Sequence, residues 1–164
     1  MSNLDTHASE RLDADHLRHS CKQQESRLSE FLDKVWNSGE LEPIDQLVHS
    51  SYTIHHDPGD PWEGQTLTRE GLKDRVSRSR TPFPDQAFDI QDMISARNRT
   101  AITWIWRGTH KQDFGHFRAS GQLLTMSGAT FYYFQEGLLC GHWQMVDRLS
   151  IYQQLMVAAG PSAQ

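Results

Sequence analysis

An aspartate stands near the end of the last predicted strand, on a face that otherwise carries apolar side chains. The odd positions of this segment include Trp143, Met145 and Asp147, and side chains alternate between the two faces of a strand. We therefore predict that Trp143, Met145 and Asp147 face the core, and that His142 lies on the outer face. A buried carboxylate is usually hydrogen-bonded, shifted in pKa or placed in a cavity for chemistry.

The sequence supports two interpretations of Asp147. In the first it is a general acid or base, because burial beside Trp143 and Met145 raises the pKa of a carboxyl group towards neutrality. In the second it is structural, and it caps the final helix predicted from Ile151 or pairs with an arginine. Both interpretations remain open at this point.

Histidines and aromatic residues form the other candidate groups. His110 ends the strand that carries Trp104 and Trp106, and alternation places it on their apolar face. Only one of the adjacent residues His55 and His56 can face inward. Histidines at strand ends are often only satisfied polar groups, and sheet aromatics are more often core than ligand wall. The aromatic candidates beyond these strands are Trp62, Phe131 and Tyr133.

Metal, nucleophile and cofactor sites find little support in the sequence. The chain has nine histidines, yet no His-x-x-x-His places two of them on one helix face, and His55 and His56 point to opposite sides of a strand. No Gly-x-Ser-x-Gly is present, and Cys140 lies on the face opposite Asp147. Phosphate loops and dinucleotide fingerprints are also absent. We predict neither a metal nor an organic cofactor.

The elements that must position these residues follow the order of helices first and strands afterwards. A helical stripe formed by Leu28, Phe31, Leu32, Val35 and Trp36 ends at Gly39. A second helix is predicted after Pro43, a third after the N-cap candidate Thr68, and a short strand over 52–56. Strand-like runs follow over 88–94, 102–106, 123–134 and 138–150, separated by hairpin turns. This order predicts an α+β fold with a curved antiparallel sheet against the early helices.

Length and charge exclude several classes of protein. The 164 residues suit a single domain, and the net charge of −5 with a pI near 5.9 argues against nucleic acid or an anionic membrane as partners. No membrane span or signal peptide is recognisable, so we predict a cytoplasmic protein. Cys21 and Cys140 are expected to be free thiols. We divide the chain into a polar extension (1–24), one domain (25–157) and a tail (158–164).

An ordered series of short motifs over roughly 26–155 resembles SnoaL-like polyketide cyclases, which belong to the ketosteroid isomerase and nuclear transport factor 2-like superfamily. The series consists of His56-Asp57-Pro58, Phe83-Pro84-Asp85, Gly108-Thr109-His110, Ser120-Gly121, Glu136-Gly137-Leu138-Leu139, Trp143, Asp147 and Gln153-Gln154-Leu155. The chain departs from the family pattern at Ala119 and at Leu138-Leu139. It also has Tyr133 where characterised cyclases place a second polar group, often a histidine.

The resemblance implies a conical NTF2-like (cystatin-like) barrel, in which N-terminal helices pack on a strongly curved antiparallel sheet around one apolar pocket. It also implies a cofactor-independent intramolecular aldol cyclisation of a polyketide-like carbonyl compound, with Asp147 as acid/base and His110 as its catalytic partner. His56 would orient substrate oxygens, and the superfamily favours a homodimer. The substrate-binding walls would be Trp62, Trp104, Trp106, Phe131, Tyr133, Trp143 and Met145.

Two further functions fit the same fold, because the superfamily uses one pocket for many purposes. The first is a small-molecule-binding protein that has lost the chemistry, which predicts that Asp147 is engaged in a fixed contact. The second is a hydrolase or dehydratase in which a histidine and Asp147 form a direct hydrogen bond and activate water.

Overall fold

The structure is a computed structural model that describes residues 3–159, and it describes the surroundings of side chains from residue 15 to residue 159. A long helix α1 (Asn3–Glu30) continues directly into a π-helix (Phe31–Ser38). Three further helices follow, α2 (Ile44–Leu47), α3 (Arg69–Arg80) and α4 (Arg148–Ala159). None of the described helices is both long and apolar enough to cross a membrane.

The helix signals read from the sequence are confirmed. The predicted stripe is buried from Leu28 to Trp36, and the π-helix ends at Gly39, whose φ of 81° is the left-handed conformation that glycine adopts freely. The hydroxyl of Thr68 accepts a hydrogen bond from the backbone N–H of Gly71, so it caps α3 as expected.

Six strands form one sheet in the order β2-β1-β6-β5-β4-β3. They are β1 (Val48–His56), β2 (Thr66–Leu67), β3 (Ala87–Ala96), β4 (Arg99–Thr109), β5 (Leu123–Gln135) and β6 (Leu138–Val146). The predicted α+β class is confirmed, but the expectation of a wholly antiparallel sheet is wrong, since β1 pairs with β6 in parallel. These two strands are distant in sequence, and no hairpin between them dictates an antiparallel direction.

The core lies between the π-helix and one face of the sheet, which we call the inner face. The ring of Phe31 contacts Tyr132 of β5 at a centroid distance of 6.5 Å, and Trp36 contacts Phe88 of β3 at 5.9 Å. One row of cross-strand partners on this face consists of Ile90, Trp104, Gly128 and Val146.

An irregularity in β6 decides which of its side chains enter the core. Leu139 pairs with Phe134, but the next pair joins Gly141 to Tyr133, so Cys140 is an extra residue in β6. Such a bulge moves the following side chains to the opposite face. Leu139 and His142 are therefore both buried. The predicted inward orientation of Trp143 and Met145 is wrong for this reason, as is the outward orientation of His142.

Gly128 provides space for the buried indole of Trp104. A Cβ atom at position 128 would lie 2.7 Å from the carbonyl oxygen of Met145 and would overlap the Trp104 ring. Atoms of the backbone and a packed indole cannot move aside cheaply, so this position requires glycine.

The N-terminal extension is part of a continuous helix in the structure. Helix α1 passes through residue 24 without interruption, and Gln24 is buried and donates a hydrogen bond to the carbonyl oxygen of Arg97. The division of the chain at residues 24 and 157 remains a prediction, and residues 160–164 of the expected tail lie outside the described part of the chain.

Gly128→Ala should destabilise the protein by about 2 kcal/mol or more, because the added methyl group overpacks the inner face. The free energy of unfolding in urea, followed by tryptophan fluorescence, measures this effect. Gly71→Ala in α3 is the matched control, since its Cβ atom would meet neighbours at an ordinary 3.4 Å and alanine favours helix. Equal stability of the two variants would contradict this account of Gly128.

Candidate active site

Asp57 is a fully buried carboxylate at the end of β1. Its Oδ2 atom lies 3.1 Å from Nη2 of Arg75 on α3, and its Oδ1 atom lies 2.5 Å from Nη2 of Arg148 at the start of α4. Arg75 is buried as well and also binds Asp60 at 2.7 Å. Two carboxylates thus face two guanidinium groups, and such compensation is what a buried charge requires.

The turn after β1 brings the two carboxylates to one arginine. The backbone N–H of Asp60 donates to the carbonyl oxygen of Asp57 at 2.9 Å, and Gly59 adopts a φ of 89° between them. Arg148 adds a hydrogen bond from Nε to the carbonyl oxygen of Pro58 at 2.6 Å. The segment Asp57-Pro58-Gly59-Asp60 therefore forms a turn, as its proline and glycine favour, and it also binds two guanidinium groups.

His142 lies beside Asp57 on the inner face and is 3% exposed. Its Nδ1 atom is 2.9 Å from the hydroxyl of Tyr52, which is also buried. Its Nε2 atom is 3.7 Å from Oδ2 of Asp57, which is longer than a hydrogen bond, and Nε2 has no hydrogen-bond partner among the described residues. A carboxylate faces Nε2, so we assign the proton to Nε2 and the accepting lone pair to Nδ1.

The pKa values of these groups follow from burial and from charge. Burial opposes ionisation of Asp57, but His142, Arg148 and Arg75 together outweigh it and lower the pKa of Asp57 to about 2. Burial lowers the pKa of His142, with Asp57 acting in the opposite direction, and burial raises the pKa of Tyr52 well above its usual value. At neutral pH Asp57 is charged while His142 and Tyr52 are neutral.

The order Tyr52–His142–Asp57 is chemically suited to moving a proton. A hydroxyl that donates to a neutral imidazole can lose its proton to that imidazole, and the imidazolium then faces a carboxylate that stabilises it. The same order of hydroxyl, imidazole and carboxylate operates in hydrolytic triads.

The predicted burial of Asp147 is wrong. Asp147 follows the last residue of β6 and is exposed, and its Oδ1 atom accepts a hydrogen bond of 3.0 Å from the backbone N–H of Ser150. It thus caps α4, which is the structural alternative that the sequence left open. The alternation argument fails because the strand has already ended at Val146.

His110 is fully buried, as the alternation predicts, but the structure does not bring it to Asp147. Its Nδ1 atom lies 3.2 Å from Oγ of Ser120, and its ring contacts Phe83. The backbone of His110 pairs with Gln122 and that of Asp147 with Ser127. Gln122 directly precedes β5 and Ser127 lies within it, so these two partners are about 16 Å apart along the strand direction. The direct hydrogen bond between His110 and Asp147, which the hydrolase or dehydratase alternative allowed, is therefore not formed in the structure.

The remaining predicted site residues divide between two faces of the sheet. Trp104 and Trp106 are buried on the inner face, and Trp62 is half-buried and packs against the core. The other predicted wall residues lie on the opposite, outer face. They include His56 stacked on Trp143 at 4.7 Å, Tyr133 beside His55, and the exposed Phe131 and Met145. An inward orientation of these five residues is wrong, and the bulge at Cys140 explains Trp143 and Met145.

Sequence reasoning did not select the residues that form this polar centre. The sequence places Tyr52 in a predicted strand and Asp57 in the motif His56-Asp57-Pro58, and no motif or spacing distinguishes Arg75. The sequence signal for them is weak, because their partners come from β1, α3, β6 and α4 and meet only after folding. His142 faces inward because of the bulge at Cys140, and placing that bulge correctly would have been enough to predict this orientation.

A groove lies elsewhere on the described part of the chain. It has a volume of about 700 Å³ and lies between α1 and the turns at Arg97-Asn98 and Glu136-Gly137. It is lined by neither His142 nor Asp147. Among the described residues, no group of three or more histidine, cysteine, aspartate or glutamate side chains could hold a metal ion.

Comparison with known proteins gives a consistent result over most of the chain. The sequence pattern of the SnoaL-like polyketide cyclases matches residues 26–155. No curated protein sequence matches the chain. A candidate polyketide cyclase from Acidithiobacillus ferrooxidans is 46% identical in sequence, and its solved structure aligns with a TM-score of 0.80 over 83% of this chain and 96% of that one.

More distant structures share the fold alone. IdmH from Streptomyces antibioticus, a candidate polyketide cyclase, is 23% identical and aligns with a TM-score of 0.69 over 81% of this chain and 98% of its own. A candidate SnoaL-like polyketide cyclase from Jannaschia sp. CCS1 is 13% identical, with a TM-score of 0.70 over 85% of this chain and 94% of that one.

Acid should destabilise the protein over a pH range that is set by the pKa of Asp57. Its pKa is about 2 in the folded protein against an ordinary 3.8, so ionised Asp57 contributes about 2 kcal/mol above pH 4. That contribution is lost as the pH falls from about 4 to about 2. Burial lowers the pKa of His142 from its ordinary value of 6.5. The neutral histidine therefore adds a loss of stability that begins as the pH falls below about 6.5.

Urea unfolding between pH 7 and pH 2 measures this dependence. Asp57→Asn should flatten the change between about pH 4 and pH 2. Asp89→Asn should leave it intact, because Asp89 is exposed and, among the described residues, its only ion pair is a distant 3.9 Å to Arg107. An unchanged profile in Asp57→Asn would show that this carboxylate does not stabilise the fold.

Proposed function

Because this chain belongs to the SnoaL-like polyketide cyclase family and has the NTF2-like fold, we propose that it catalyses cofactor-independent proton transfer on a small carbonyl compound. An intramolecular aldol cyclisation of a polyketide-like substrate is the reaction that the family name suggests. The observation that carries the proposal is the order Tyr52–His142–Asp57 on the inner face of the sheet, in which Tyr52 hydrogen-bonds to His142 at 2.9 Å and Asp57 faces the imidazole at 3.7 Å.

The proton moves along this order in two steps. Tyr52 oxygen accepts the acidic proton between two carbonyl groups while its own proton passes to Nδ1 of His142, so that a carbanion and an imidazolium form together. The carbanion attacks the second carbonyl carbon and forms the new C–C bond. Nδ1 then returns its proton to Tyr52, which protonates the alkoxide, and no external oxidant or reductant is required.

Asp57 contributes through its charge. Its Oδ2 atom lies 3.7 Å from Nε2 of His142, so its negative charge would stabilise the imidazolium. A small movement of the His142 ring towards Asp57 would form a direct hydrogen bond. Arg75 and Arg148 keep Asp57 ionised, so it does not take the proton itself. Asp57, Arg75 and Arg148 are therefore positioning groups for the His142–Tyr52 pair.

A substrate can reach this pair only where the helical layer over the inner face gives way. Tyr52 and His142 are buried, and the π-helix places Phe31 and Trp36 above the sheet. We infer that the helices and sheet form the conical barrel of the family, with the substrate entering between them. π-Helical segments occur frequently at functional sites.

A binding protein without catalysis is the second candidate, and two observations favour it. Asp147 is engaged as the cap of α4, and Asp57 is held by two arginines. The role of Asp147 as acid/base, which the family resemblance implies, also remains a prediction. These alternatives give different results when His142 and Asp147 are replaced separately.

His142→Gln should abolish proton transfer, whereas Asp147→Asn, which preserves the cap, should retain it. The measurement is deuterium incorporation into 2-tetralone in D₂O, followed by proton NMR, because this benzo-fused cyclic ketone has acidic hydrogens next to its carbonyl. Tyr52→Phe removes the hydroxyl alone and should reduce the rate at least about 100-fold. His55→Gln, an exposed histidine on the outer face, is the matched control.

Each outcome separates the candidates once circular dichroism shows that the variants are folded. If Asp147→Asn lost deuterium exchange and His142→Gln retained it, Asp147 would be the acid/base group and the proposed proton transfer through Tyr52 and His142 would be wrong. Binding of the ketone without exchange by the unmodified protein would identify it as a binding protein.

We also propose that two copies of the chain associate through the outer face of the sheet. One row of cross-strand partners there runs across five strands and consists of Ile94, Ala101, Phe131, Trp143 and His56. Ile94 is 72% exposed, Phe131 43% and the neighbouring Met145 58%. A contiguous apolar surface of this kind marks an interaction site, and a two-fold axis would place the row against itself.

Sedimentation equilibrium should give twice the chain mass of 18.9 kDa for the unmodified protein and the single mass for Phe131→Lys. A lysine at the centre of the row would be buried without a partner in the dimer. Leu149→Lys replaces an apolar residue on α4 that is more exposed than Phe131, and this variant should remain dimeric. A monomeric unmodified protein at tens of micromolar would contradict the association.

A further inference from the structure

Opposite charges flank the apolar row on the outer face of the sheet. The row crosses β3 at Ile94 and β4 at Ala101. Arg99 lies two residues before Ala101 on β4, on one side of the row. Asp92 lies two residues before Ile94 on β3 and pairs with Thr103, so it is on the other side of the row. Arg99 and Asp92 share the face of the row, because alternate residues of a strand point to one face, and both are exposed.

Neither of these two charges is compensated within the described part of the chain. Arg99 and Asp92 form no ion pair with a described residue, whereas Asp89 and Arg107 on the same face lie 3.9 Å apart. The guanidinium group of Arg99 lies 5.1 Å from the ring centre of Tyr133, but such a contact on an exposed surface is weak and adds no negative charge. Arg99 and Asp92 of one chain stay apart, because four residues of β4 separate their positions, about 13 Å along the strand.

A two-fold axis can place the apolar row against itself in two ways. An axis parallel to the strands through Phe131, at the centre of the row, places β4 over β6 of the partner subunit. Arg99 then faces Gly141 of the partner subunit, which has no side chain. An axis along the row instead places each strand over the same strand of the partner subunit in the reverse direction. The side that carries Arg99 then lies over the side of the partner subunit that carries Asp92.

We propose that two copies associate about an axis along the row, so that Arg99 of each copy forms an ion pair with Asp92 of the partner subunit. This inference rests on the association proposed above and defines its geometry. Arg99 lies over Thr103 of the partner subunit, and Asp92 is the cross-strand neighbour of that threonine, about 5 Å away. Packed sheets are about 10 Å apart, a gap that an arginine and an aspartate side chain bridge together. The symmetry gives two such ion pairs in each dimer.

The test exchanges the charges at the two positions. Arg99→Glu or Asp92→Lys alone places like charges against each other twice in a dimer. Each single variant should therefore raise the dissociation constant at least about tenfold, as measured by sedimentation equilibrium. An equimolar mixture of the two variants should associate with about the affinity of the unmodified protein, because both contacts of the mixed dimer then join opposite charges. The double variant Arg99→Glu/Asp92→Lys should recover the affinity for the same reason.

Two exposed charges of α3 provide the matched controls. Asp74 and Arg78 lie 2.9 Å apart on this helix, whose buried side chains belong to the core and not to the outer face. Asp74→Lys and Arg78→Glu should therefore change the dissociation constant less than about twofold. Circular dichroism should show that all the variants are folded, since every substituted position is exposed.

The outcomes separate this geometry from the association itself. If the unmodified protein is monomeric, the association fails and the geometry fails with it. If the unmodified protein is dimeric but the single variants keep its affinity, or their mixture associates no more strongly than each variant alone, the association stands and the contact between Arg99 and Asp92 is wrong. Deuterium exchange into 2-tetralone tests the proposed proton transfer independently of these results.

Discussion

Asp57 carries a negative charge inside the protein, and three elements meet at that charge. It ends β1, Arg75 comes from α3, and Arg148 begins α4, so the ion pairs join parts of the chain that are distant in sequence. Removing Asp57 would take a carboxylate away from both arginines, and breaking buried ion pairs in this way typically costs several kcal/mol. This network holds the turn after β1 in place and thereby places a carboxylate against His142. The polar centre depends on it.

The inner face of β6 then offers two polar groups with different capacities. His142 is linked to an ionised carboxylate and a tyrosine hydroxyl, so it can gain and lose a proton. Gln144 is linked to Thr130 and through it to the indole of Trp104, so its amide oxygen is already engaged. The proton transfer proposed above therefore depends on His142 and its two neighbours.

Much of the fold was predictable because it follows from local rules. The helical stripe from Leu28 to Trp36, the stop at Gly39 and the cap at Thr68 depend on neighbours within one or two turns, and all three are confirmed. The site was less predictable. Asp147 was placed on a buried face by extending the alternation of β6 beyond its end, and Trp143 and Met145 followed the wrong parity because Cys140 is an extra residue.

The sequence by itself determined the α+β class, the order of the elements and the family, since periodicity, capping residues and an ordered series of motifs are properties of the chain alone. It also determined that His110, Trp104 and Trp106 are buried. Only the tertiary structure decided that β1 is parallel to β6 and that His142 faces inward. Those outcomes depend on pairing between distant strands, and a shift of one residue in such pairing exchanges the two faces of a strand.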